Sequence, residues 1–340
     1  MNAIAKIRLL SQPWVSRLTV LLLVIGLCTG CAVYLPNLSY NPWQLINLPT
    51  NANLLDIAFT QDPQHGWLVG TNATLFETND GGTTWEERRL DLDTDKYRLT
   101  SISFSGQEGW VVGQPSLLLH TPDGGNSWEE IPLSSKLPGA PDKIIALDTQ
   151  VAEMVTNVGA IYRTNDGGKT WKGLAQEALG VFRNIARFED GRYVAVSATG
   201  SFYSVWDPSD QLWTPHNRVS SKRVQNMGFV PTGQLWMLGR GGIILFNQAD
   251  DPDQWSDPIN PEFSTSWGLL DMAYRTPDEV WVGGGSGNLI VSQDGGKTWS
   301  KDREVESVPS NLDKIVFISP DKGFILGQRG NLLRYQEEAA

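Results

Sequence analysis

Seven tryptophans recur along the chain at an almost constant spacing, and this regularity constrains the fold more than any other feature of the sequence. They stand at positions 43, 85, 128, 171, 213, 255 and 299, which are 42, 43, 43, 42, 42 and 44 residues apart. A period of this kind indicates an array of similar structural units rather than one continuous core. We therefore expect the 340-residue chain to fold as repeats from about residue 41 onward.

Each repeat contains the same order of short apolar segments. A hexamer opens the repeat, as in LLDIAF (54–59), and a second run follows, as in GWLVG (66–70). A third run leads into a turn, as in TLFET (74–78), and the fourth segment contains the tryptophan. Branched and aromatic residues separated by glycine favour strands. Four short strands per repeat of ~40–45 residues are typical of a propeller blade.

The sequence therefore predicts an all-β, seven-bladed β-propeller with four-stranded blades in residues 41–340. The last repeat lacks its tryptophan strand, because only a short tail follows Tyr335. We expect residues 41–48 around Trp43 to complete the seventh blade beside residues 331–335, which joins the two ends of the chain and leaves no unpaired edge. The blades are expected near 54–85, 99–128, 143–171, 182–213, 224–255, 269–299 and 312–335.

The first thirty residues differ from the rest and predict an export signal. Lys6, Arg8 and Arg17 precede or flank an apolar run at 18–27. This run is too short for a transmembrane helix, which needs ~20 residues, but it suits a signal peptide. The segment LCTGC resembles the lipobox of bacterial lipoproteins, so we expect residues 1–30 to be removed and Cys31 to receive lipid. Residues 31–40 would then form a lipidated tether; an uncleaved anchor or an ordinary signal peptide is the alternative.

Charge and cysteine content exclude several classes of function. The formal net charge is −11, and it becomes −14 once the three basic residues of the leader are removed. A nucleic-acid partner is not expected, since phosphate binding requires a basic face. Cys28 and Cys31 are the two cysteines, so the exported domain has no disulfide and no thiolate metal site. We find no metal-ligand spacing, phosphate-binding glycine loop or nucleophile elbow, and we expect neither a metal nor a cofactor.

A motif of the form TNDGGKTW (164–171) occurs in four repeats and resembles the Asp-box of many propellers, S/T-x-D-x-G-x-x-W/F. The aspartate is expected to accept hydrogen bonds from turn amides, and the glycines to supply positive φ. The tryptophan would fill the space between blades. Four equivalent acids argue for a structural role, because an active site needs one constellation. The aspartate–tryptophan pairs are Asp80 and Trp85, Asp123 and Trp128, Asp166 and Trp171, and Asp294 and Trp299.

Blades four and five lack the complete motif, and basic residues gather there instead. Residues 183–240 contain seven basic and four acidic side chains, in a chain that is otherwise acidic. Propeller topology predicts that five of them meet on one face near the channel mouth. These five, which we call the basic patch, are Arg183, Arg218, Lys222, Arg223 and Arg240. We expect the patch to bind an acidic or carboxylate-bearing partner, for which the planar fork of arginine is suited.

The two other arginines of this region are expected to behave differently. Arg192 lies in an EDGRY turn that should sit on the opposite face, and Arg187 is expected to point sideways or to pair with Glu189. The alternative for any single arginine is a solvated surface charge.

Together the seven repeats, the TNDGGKTW boxes, the lipobox and the run NRVSSKRVQNMGF (217–229) resemble the photosystem II assembly/stability factor family of cyanobacteria and chloroplasts. The resemblance covers the whole mature chain. It implies a monomeric, non-enzymatic, chaperone-like protein on the lumenal side of the thylakoid membrane, or on the periplasmic face of the plasma membrane, that binds newly inserted reaction-centre subunits. It also implies an arginine patch drawn from Arg183, Arg187, Arg192, Arg218, Arg223 and Arg240. Lys222 and Thr199 depart from the arginines expected at those positions.

Two other functions remain open from the sequence. Asp-box propellers include sialidases and other glycoside hydrolases, but sialidases have six blades and their N-terminal arginine motif is absent here. His65 and His120 occupy repeat positions that ordinary residues fill elsewhere, so neither indicates catalysis. The second alternative is a generic scaffold lipoprotein of the cell envelope.

Overall fold

A computed structural model describes residues 35–93, 95–176, 180–218, 221–248, 251–261 and 268–336. The predicted signal peptide 1–30, the lipidation site Cys31 and the start of the predicted tether lie outside the described residues. Within them, the protein is a ring of seven antiparallel sheets, and the all-β, seven-bladed propeller predicted from the sequence is confirmed. No helix in these ranges is long and apolar enough to cross a membrane.

The strands follow the repeats. The consecutive strands of a blade lie side by side, from the innermost strand at the channel to the outermost strand at the rim. Two short 3-10 turns, Gly285–Gly287 and Val305–Ser307, interrupt them. Blades one to three contain β2(Leu54–Phe59), β3(Gly66–Gly70), β4(Leu75–Thr78) and β5(Glu86–Glu87); β6(Arg98–Ser105), β7(Glu108–Gln114), β8(Leu117–Thr121) and β9(Glu129–Glu130); and β10(Pro141–Asp148), β11(Val151–Thr156), β12(Ile161–Thr164) and β13(Lys172–Ala175). Blades four to six contain β14(Phe182–Arg187), β15(Tyr193–Ser197), β16(Phe202–Trp206) and β17(Thr214–Asn217); β18(Val224–Phe229), β19(Leu235–Gly239) and β20(Ile243–Phe246); and β21(Leu269–Tyr274), β22(Val280–Gly284), β23(Leu289–Ser292) and β24(Ser300–Lys301). Blade seven contains β25(Leu312–Ser319), β26(Lys322–Gly327), β27(Asn331–Tyr335) and, from the N-terminus, β1(Trp43–Asn47).

The ring closes as the missing tryptophan strand predicted. β1 pairs antiparallel with β27, so that Trp43 lies opposite Tyr335 and Asn47 lies opposite Asn331. Trp43 packs edge-on against Trp281 of blade six, with ring centroids 5.3 Å apart. The first strand of the chain therefore supplies both the outer edge of blade seven and an aromatic anchor against its neighbour.

The hydrophobic core is divided into seven clusters, one at each interface between adjacent blades. The cluster between blades one and two contains Trp67, Val69 and Ile102, for example, and the cluster that closes the ring contains Leu54 and Leu332. Each blade buries its two faces against its neighbours, because a four-stranded sheet cannot bury both faces alone. The channel at the centre of the ring is lined by both polar and apolar side chains.

Two details differ from the sequence expectation. Blade five has three strands rather than four; its outer position is occupied by isolated bridges, Asn247 with Trp255 and Ile244 with Ile259. The turn before Trp255 lacks the Gly-Gly pair of the box, as does the turn of blade four, where the fourth strand β17 nevertheless forms. The second difference lies at 35–38, predicted as tether, which instead pairs with Lys301 of blade six.

Candidate functional site

The four box aspartates act as hydrogen-bond acceptors that hold the turn before the fourth strand. In the box that ends at Trp171, Asp166 Oδ1 accepts the amide of Thr170 at 2.9 Å and Oδ2 accepts its hydroxyl at 2.6 Å. The hydroxyl of Thr164 donates to Asp166 Oδ1 at 2.9 Å and accepts the amide of Gly168 at 2.9 Å. These bonds use the carboxylate oxygens inside the turn, as the structural interpretation of the motif predicts.

The same bonds make the box aspartates strong acids. The hydroxyl and amide of Ser127 lower the pKa of Asp123 to about 2. Hydrogen bonds from Thr170 likewise lower the pKa of Asp166. A carboxylate that stays ionised and is engaged by its own turn cannot serve as a general acid near neutral pH.

The tryptophan and the second glycine of each box join neighbouring blades. Trp171 meets Trp110 of the preceding blade edge to face, with centroids 5.9 Å apart, and Trp128 meets Trp67 at 5.8 Å. Gly168 lies so close to Trp110 that an added Cβ would come within 2.9 Å of its ring. The box is therefore an inter-blade packing device.

The basic patch forms between blades four and five, where the box is absent. Arg183, at the start of β14, donates to Gln225 Oε1 at 2.7 Å and to the carbonyl of Val224 at 3.4 Å. The amide of Arg240 donates to the carbonyl of Arg223 at 2.8 Å. The structure thus brings Arg183, Arg223 and Arg240 to one face of the propeller, as topology predicted.

The patch is exposed to solvent, and its arginines have no carboxylate partners among the described residues. All five members, Arg183, Arg218, Lys222, Arg223 and Arg240, are exposed. None of the four arginines among them forms a salt bridge within the described part of the chain. Lys222 and Arg218 flank residues 219–220, which lie outside the described ranges, and are placed in the patch by their position in the connection from β17 to β18. Apart from the Nη1 of Arg183, which donates to Gln225 and Val224, these guanidinium groups have donors available to a ligand.

Arg187 lies outside the patch and has a structural role. Its Nε donates to Glu153 Oε2 at 2.8 Å, and the hydroxyl of Tyr193 donates to the same oxygen at 2.7 Å. The side chain of Arg187 is only 15% exposed. Arg187 therefore points sideways, as one of the two expectations had it, and the expected pairing with Glu189 is wrong. It joins blade four to blade three, because Glu153 on β11 is a buried carboxylate that requires a cation.

Arg192 also lies away from the patch, at the opposite end of the blade. It pairs with Asp190 at 2.7 Å and donates to the carbonyl of Gly233 at 3.0 Å, in the turn between β18 and β19. Its guanidinium lies beside the stacked rings of Phe188 and Phe229, 5.5 and 5.6 Å from their centroids. This agrees with the expected opposite face, and it means that the resemblance-based patch of six arginines divides into an exposed group and two residues that connect blades.

Comparisons with known proteins agree with this architecture. The family model described as photosynthesis system II assembly factor YCF48 matches residues 35–336. The chain belongs to this family. It is 62% identical to the photosystem II assembly lipoprotein Ycf48 of Trichormus variabilis, over 97% of this chain and 96% of the relative. It is 66% identical to that of Synechocystis sp., over 91% and 90%. A solved structure described as YCF48 bound to D1 peptide superposes with a TM-score of 0.89 at 57% identity, covering 91% of this chain and 100% of that one.

In this member of the Ycf48 family, the central channel carries a ring of polar residues that the sequence analysis missed. Each innermost strand has a register irregularity near its start, and the residue after it points into the channel in all seven blades. The hexamers contained a signal, because each has a polar residue at this point, but its varying identity hid the pattern. This channel ring consists of Asp56, Ser101, Lys143, Asn184, Asn226, Asp271 and Lys314.

Hydrogen bonds between blades close most of the channel ring. Asp56 accepts from Lys314 Nζ at 2.6 Å and from Ser101 Oγ at 2.7 Å, which links blades seven, one and two. Asn226 donates to Asp271 Oδ1 at 2.9 Å, and Asp271 Oδ2 accepts the amide of Ile315 at 2.8 Å. The ring therefore ties the inner ends of five blades together.

The pKa values of the two carboxyl groups in the channel ring are shifted in opposite directions. Burial acts to raise the pKa of Asp56, but the Lys314 ammonium and the further charge of Lys143 hold it below its ordinary value. Burial raises the pKa of Asp271 to about 6, against the amide hydrogen bond from Ile315. Asp56 is thus an ionised pair partner, whereas Asp271 takes up a proton in mildly acidic solution.

Among the described residues, no group of three or more acidic, histidine or cysteine side chains is arranged to hold a metal ion.

Proposed function

We propose that this chain is a non-enzymatic assembly factor for photosystem II that holds an acidic or carboxylate-bearing segment of a reaction-centre subunit on its basic patch. One observation supports this most directly: the related YCF48 structure at 57% identity is described as bound to D1 peptide. The present chain offers a basic surface for such a segment in Arg183, Arg218, Lys222, Arg223 and Arg240, exposed between blades four and five.

The electrostatics of the molecule favour such a partner. The chain as a whole is strongly acidic, so an acidic segment is repelled by most of the surface and attracted to one region. Arginine binds a carboxylate through two parallel hydrogen bonds, and Arg223 and Arg240 stand side by side through their backbone hydrogen bond. The patch therefore supplies both charge and geometry for recognising carboxylates.

We further propose that the protein acts on the lumenal side of the thylakoid membrane, attached through lipid on Cys31. The relatives from Trichormus variabilis and Synechocystis sp. are named lipoproteins, and the sequence before Cys31 carries an export signal with a lipobox. Radiolabelled palmitate that is incorporated by the natural protein and lost in a Cys31→Ala variant tests the attachment. Equal incorporation in both forms would refute it.

Charge reversal tests the partner-binding role. We would replace Arg183, Arg218, Arg223 and Arg240 with Glu, solubilise photosynthetic membranes and measure how much D1 subunit the tagged protein captures. Surface charge pairs contribute about 0.5 kcal/mol each, so losing four weakens binding by about 2 kcal/mol, or ~30-fold. Natural binding should also weaken as salt is raised, because exposed charges are screened.

A matched control separates local from global charge. Replacing Arg89, Lys136, Lys169 and Lys172 with Glu changes the net charge by the same amount on exposed positions of blades one to three. This control should capture D1 as the natural protein does. If the patch variant keeps its thermal melt and still captures D1 at low salt, or if both variants lose D1 equally, the basic patch is not the binding surface.

The non-enzymatic part of the proposal has its own test. The box aspartates are engaged by their turns, and Asp56 by Lys314. A glycoside hydrolase needs two carboxyl groups ~5–9 Å apart that are free to act on a sugar. Turnover of aryl glycosides by the purified protein, abolished by replacing a channel carboxylate, would overturn the proposal in favour of the hydrolase alternative.

A further inference from the structure

The segment predicted to be a tether is built into the propeller. The amide of Lys301 donates to the carbonyl of Pro36 at 2.9 Å, and the amide of Leu38 donates to the carbonyl of Lys301 at 2.9 Å. Leu35 is 8% exposed and packs in the cluster between blades five and six, and Leu38 packs in the next cluster. Residues 35–38 thus extend the outer edge of blade six and do not act as a spacer.

This changes how far the propeller can move from a lipid on Cys31. Only four residue steps separate Cys31 from Leu35. At ~3.5 Å per residue they span about 14 Å when fully extended, whereas a free tether to residue 41 would have spanned about 35 Å. With the shorter reach, the edge of blade six where Leu35 is anchored must stay close to the lipid headgroups.

The exposed side chains at this edge suit a lipid surface. Tyr40 is 39% exposed and Leu45 is 38% exposed, and they are two of only five large apolar side chains exposed in the described part of the chain. Tyrosine is enriched where a membrane meets water, because its ring is apolar and its hydroxyl is polar. Both residues belong to the segment that runs from the anchored strand into β1.

We propose that the outer edge of blades six and seven, comprising Pro36, Asn37, Tyr40 and Leu45, rests on the bilayer surface. We call this surface the membrane edge. The inference rests on the proposed lipidation of Cys31 and adds an orientation to it. The short chain before Leu35 favours the bilayer as the binding partner of this edge, since a lipid on Cys31 keeps the bilayer within reach of the edge at all times. Two apolar side chains are too few for a stable interface with a second copy, which needs about 1,000 Å² or more.

The orientation has a consequence for the basic patch. The patch lies between blades four and five and therefore not on the membrane edge. A propeller held by its rim on blades six and seven keeps the flat face that carries the patch open beside the membrane, where a segment emerging from a membrane-embedded subunit can reach it.

Site-specific fluorescence on vesicles tests the membrane edge. Both cysteines of the sequence lie at or before position 31, so Leu45→Cys introduces the one reactive thiol of the mature lipidated chain. We would label it with an environment-sensitive dye and bind the protein to phosphatidylcholine vesicles. The matched control is Lys172→Cys, exposed on the outer strand of blade three and half-way round the ring. We expect a blue shift and a several-fold loss of iodide quenching at position 45, and no change at position 172.

A length variant completes the test. Inserting twenty Gly/Ser residues directly before Leu35 lets the lipid stay bound while freeing the edge, and should restore iodide quenching at position 45 toward its value in solution. Mass spectrometry first establishes the lipid. If Cys31 carries none, both the proposed attachment and the membrane edge fail. If the lipid is present but dyes at positions 45 and 172 respond alike, or the inserted linker changes nothing, only the membrane edge is refuted.

Discussion

The two glycines of an Asp-box should differ sharply in what they tolerate, and the box at 164–171 provides a matched pair. Gly167 and Gly168 both have positive φ, 67° and 82°. A Cβ on Gly167 would meet nothing closer than 3.7 Å, which is an ordinary contact. A Cβ on Gly168 would come within 2.6 Å of Ile131 Cδ1 and 2.9 Å of Trp110 Cη2. Alanine at position 167 only strains the backbone, which is held at positive φ. Alanine at position 168 adds the same strain and also inserts a methyl group between two blades.

The expected losses of stability follow from these two effects. A non-glycine residue in the left-handed region costs about 1–2 kcal/mol, so Gly167→Ala should lower the free energy of unfolding by that amount. Overpacking adds about 1–3 kcal/mol, and Trp110 is fully buried and cannot move aside. Gly168→Ala should therefore cost about 2–5 kcal/mol, always more than its neighbour.

Equilibrium unfolding in urea, followed by tryptophan fluorescence, measures both values. The double variant Gly168→Ala with Trp110→Phe serves as a further check, since a smaller ring should relieve part of the clash without altering φ. If Gly167→Ala and Gly168→Ala lose stability equally, the second glycine is needed for its conformation alone. The interpretation of the box as an inter-blade device would then be wrong.

Three further predictions concern closure and the channel ring. Deleting residues 41–48 should abolish cooperative thermal unfolding, and moving the segment to follow position 336 should restore it; a melt unchanged by the deletion refutes strand-based closure. Lys314→Met leaves Asp56 without its cation and should lower the free energy of unfolding in urea by about 2 kcal/mol. This is less than for a fully buried pair, because Lys314 is partly exposed. Adding Asp56→Asn should recover part of that loss, and purely additive losses would contradict the pairing. The pKa of Asp271 is raised from 3.8 to about 6, so between these pH values the folded protein retains a proton which the unfolded chain releases. The contribution of Asp271 to the free energy of unfolding is therefore present below pH ~4 and lost as pH rises through about 6. The difference in stability between the natural protein and Asp271→Asn should change by about 1–3 kcal/mol across that window, and a flat difference would refute the shift.

The architecture could be predicted from the sequence because repetition multiplies a weak signal. One tryptophan near a turn means little, but seven tryptophans at nearly equal spacing, four of them after an Asp-Gly-Gly turn, determine the number of blades. The position of Trp43 at the start of the chain then requires the closure seen between β1 and β27. The box is absent from both blade four and blade five, yet only blade five lacks a regular fourth strand, so the missing glycines do not by themselves explain it.

The candidate site was only partly predictable, for a physical reason. Topology placed Arg183, Arg223 and Arg240 on one face because the ends of strands have fixed positions in a blade. The partners of Arg187 could not be read from its neighbours in sequence, since Glu153 lies 34 residues away in the preceding blade. The anchored segment at Leu35 was also missed, because its contact with Lys301 joins residues more than 260 positions apart.

The channel ring shows what internal repetition can and cannot reveal about function. The box positions carry the same residue types in each repeat, since every box turn needs an acceptor for the same backbone amides. Asp166 and Asp123 accept the equivalent amide in their two turns. The ring positions repeat in place but not in identity, because several members complement a neighbouring blade: Asp56 requires the cation of Lys314, and Asp271 requires the amide of Asn226. Variation at a repeated position is therefore no sufficient sign of a binding site. The arginines of the basic patch differ from the charged members of the ring in having no carboxylate partner among the described residues, and this makes them the stronger candidates for contact with another molecule.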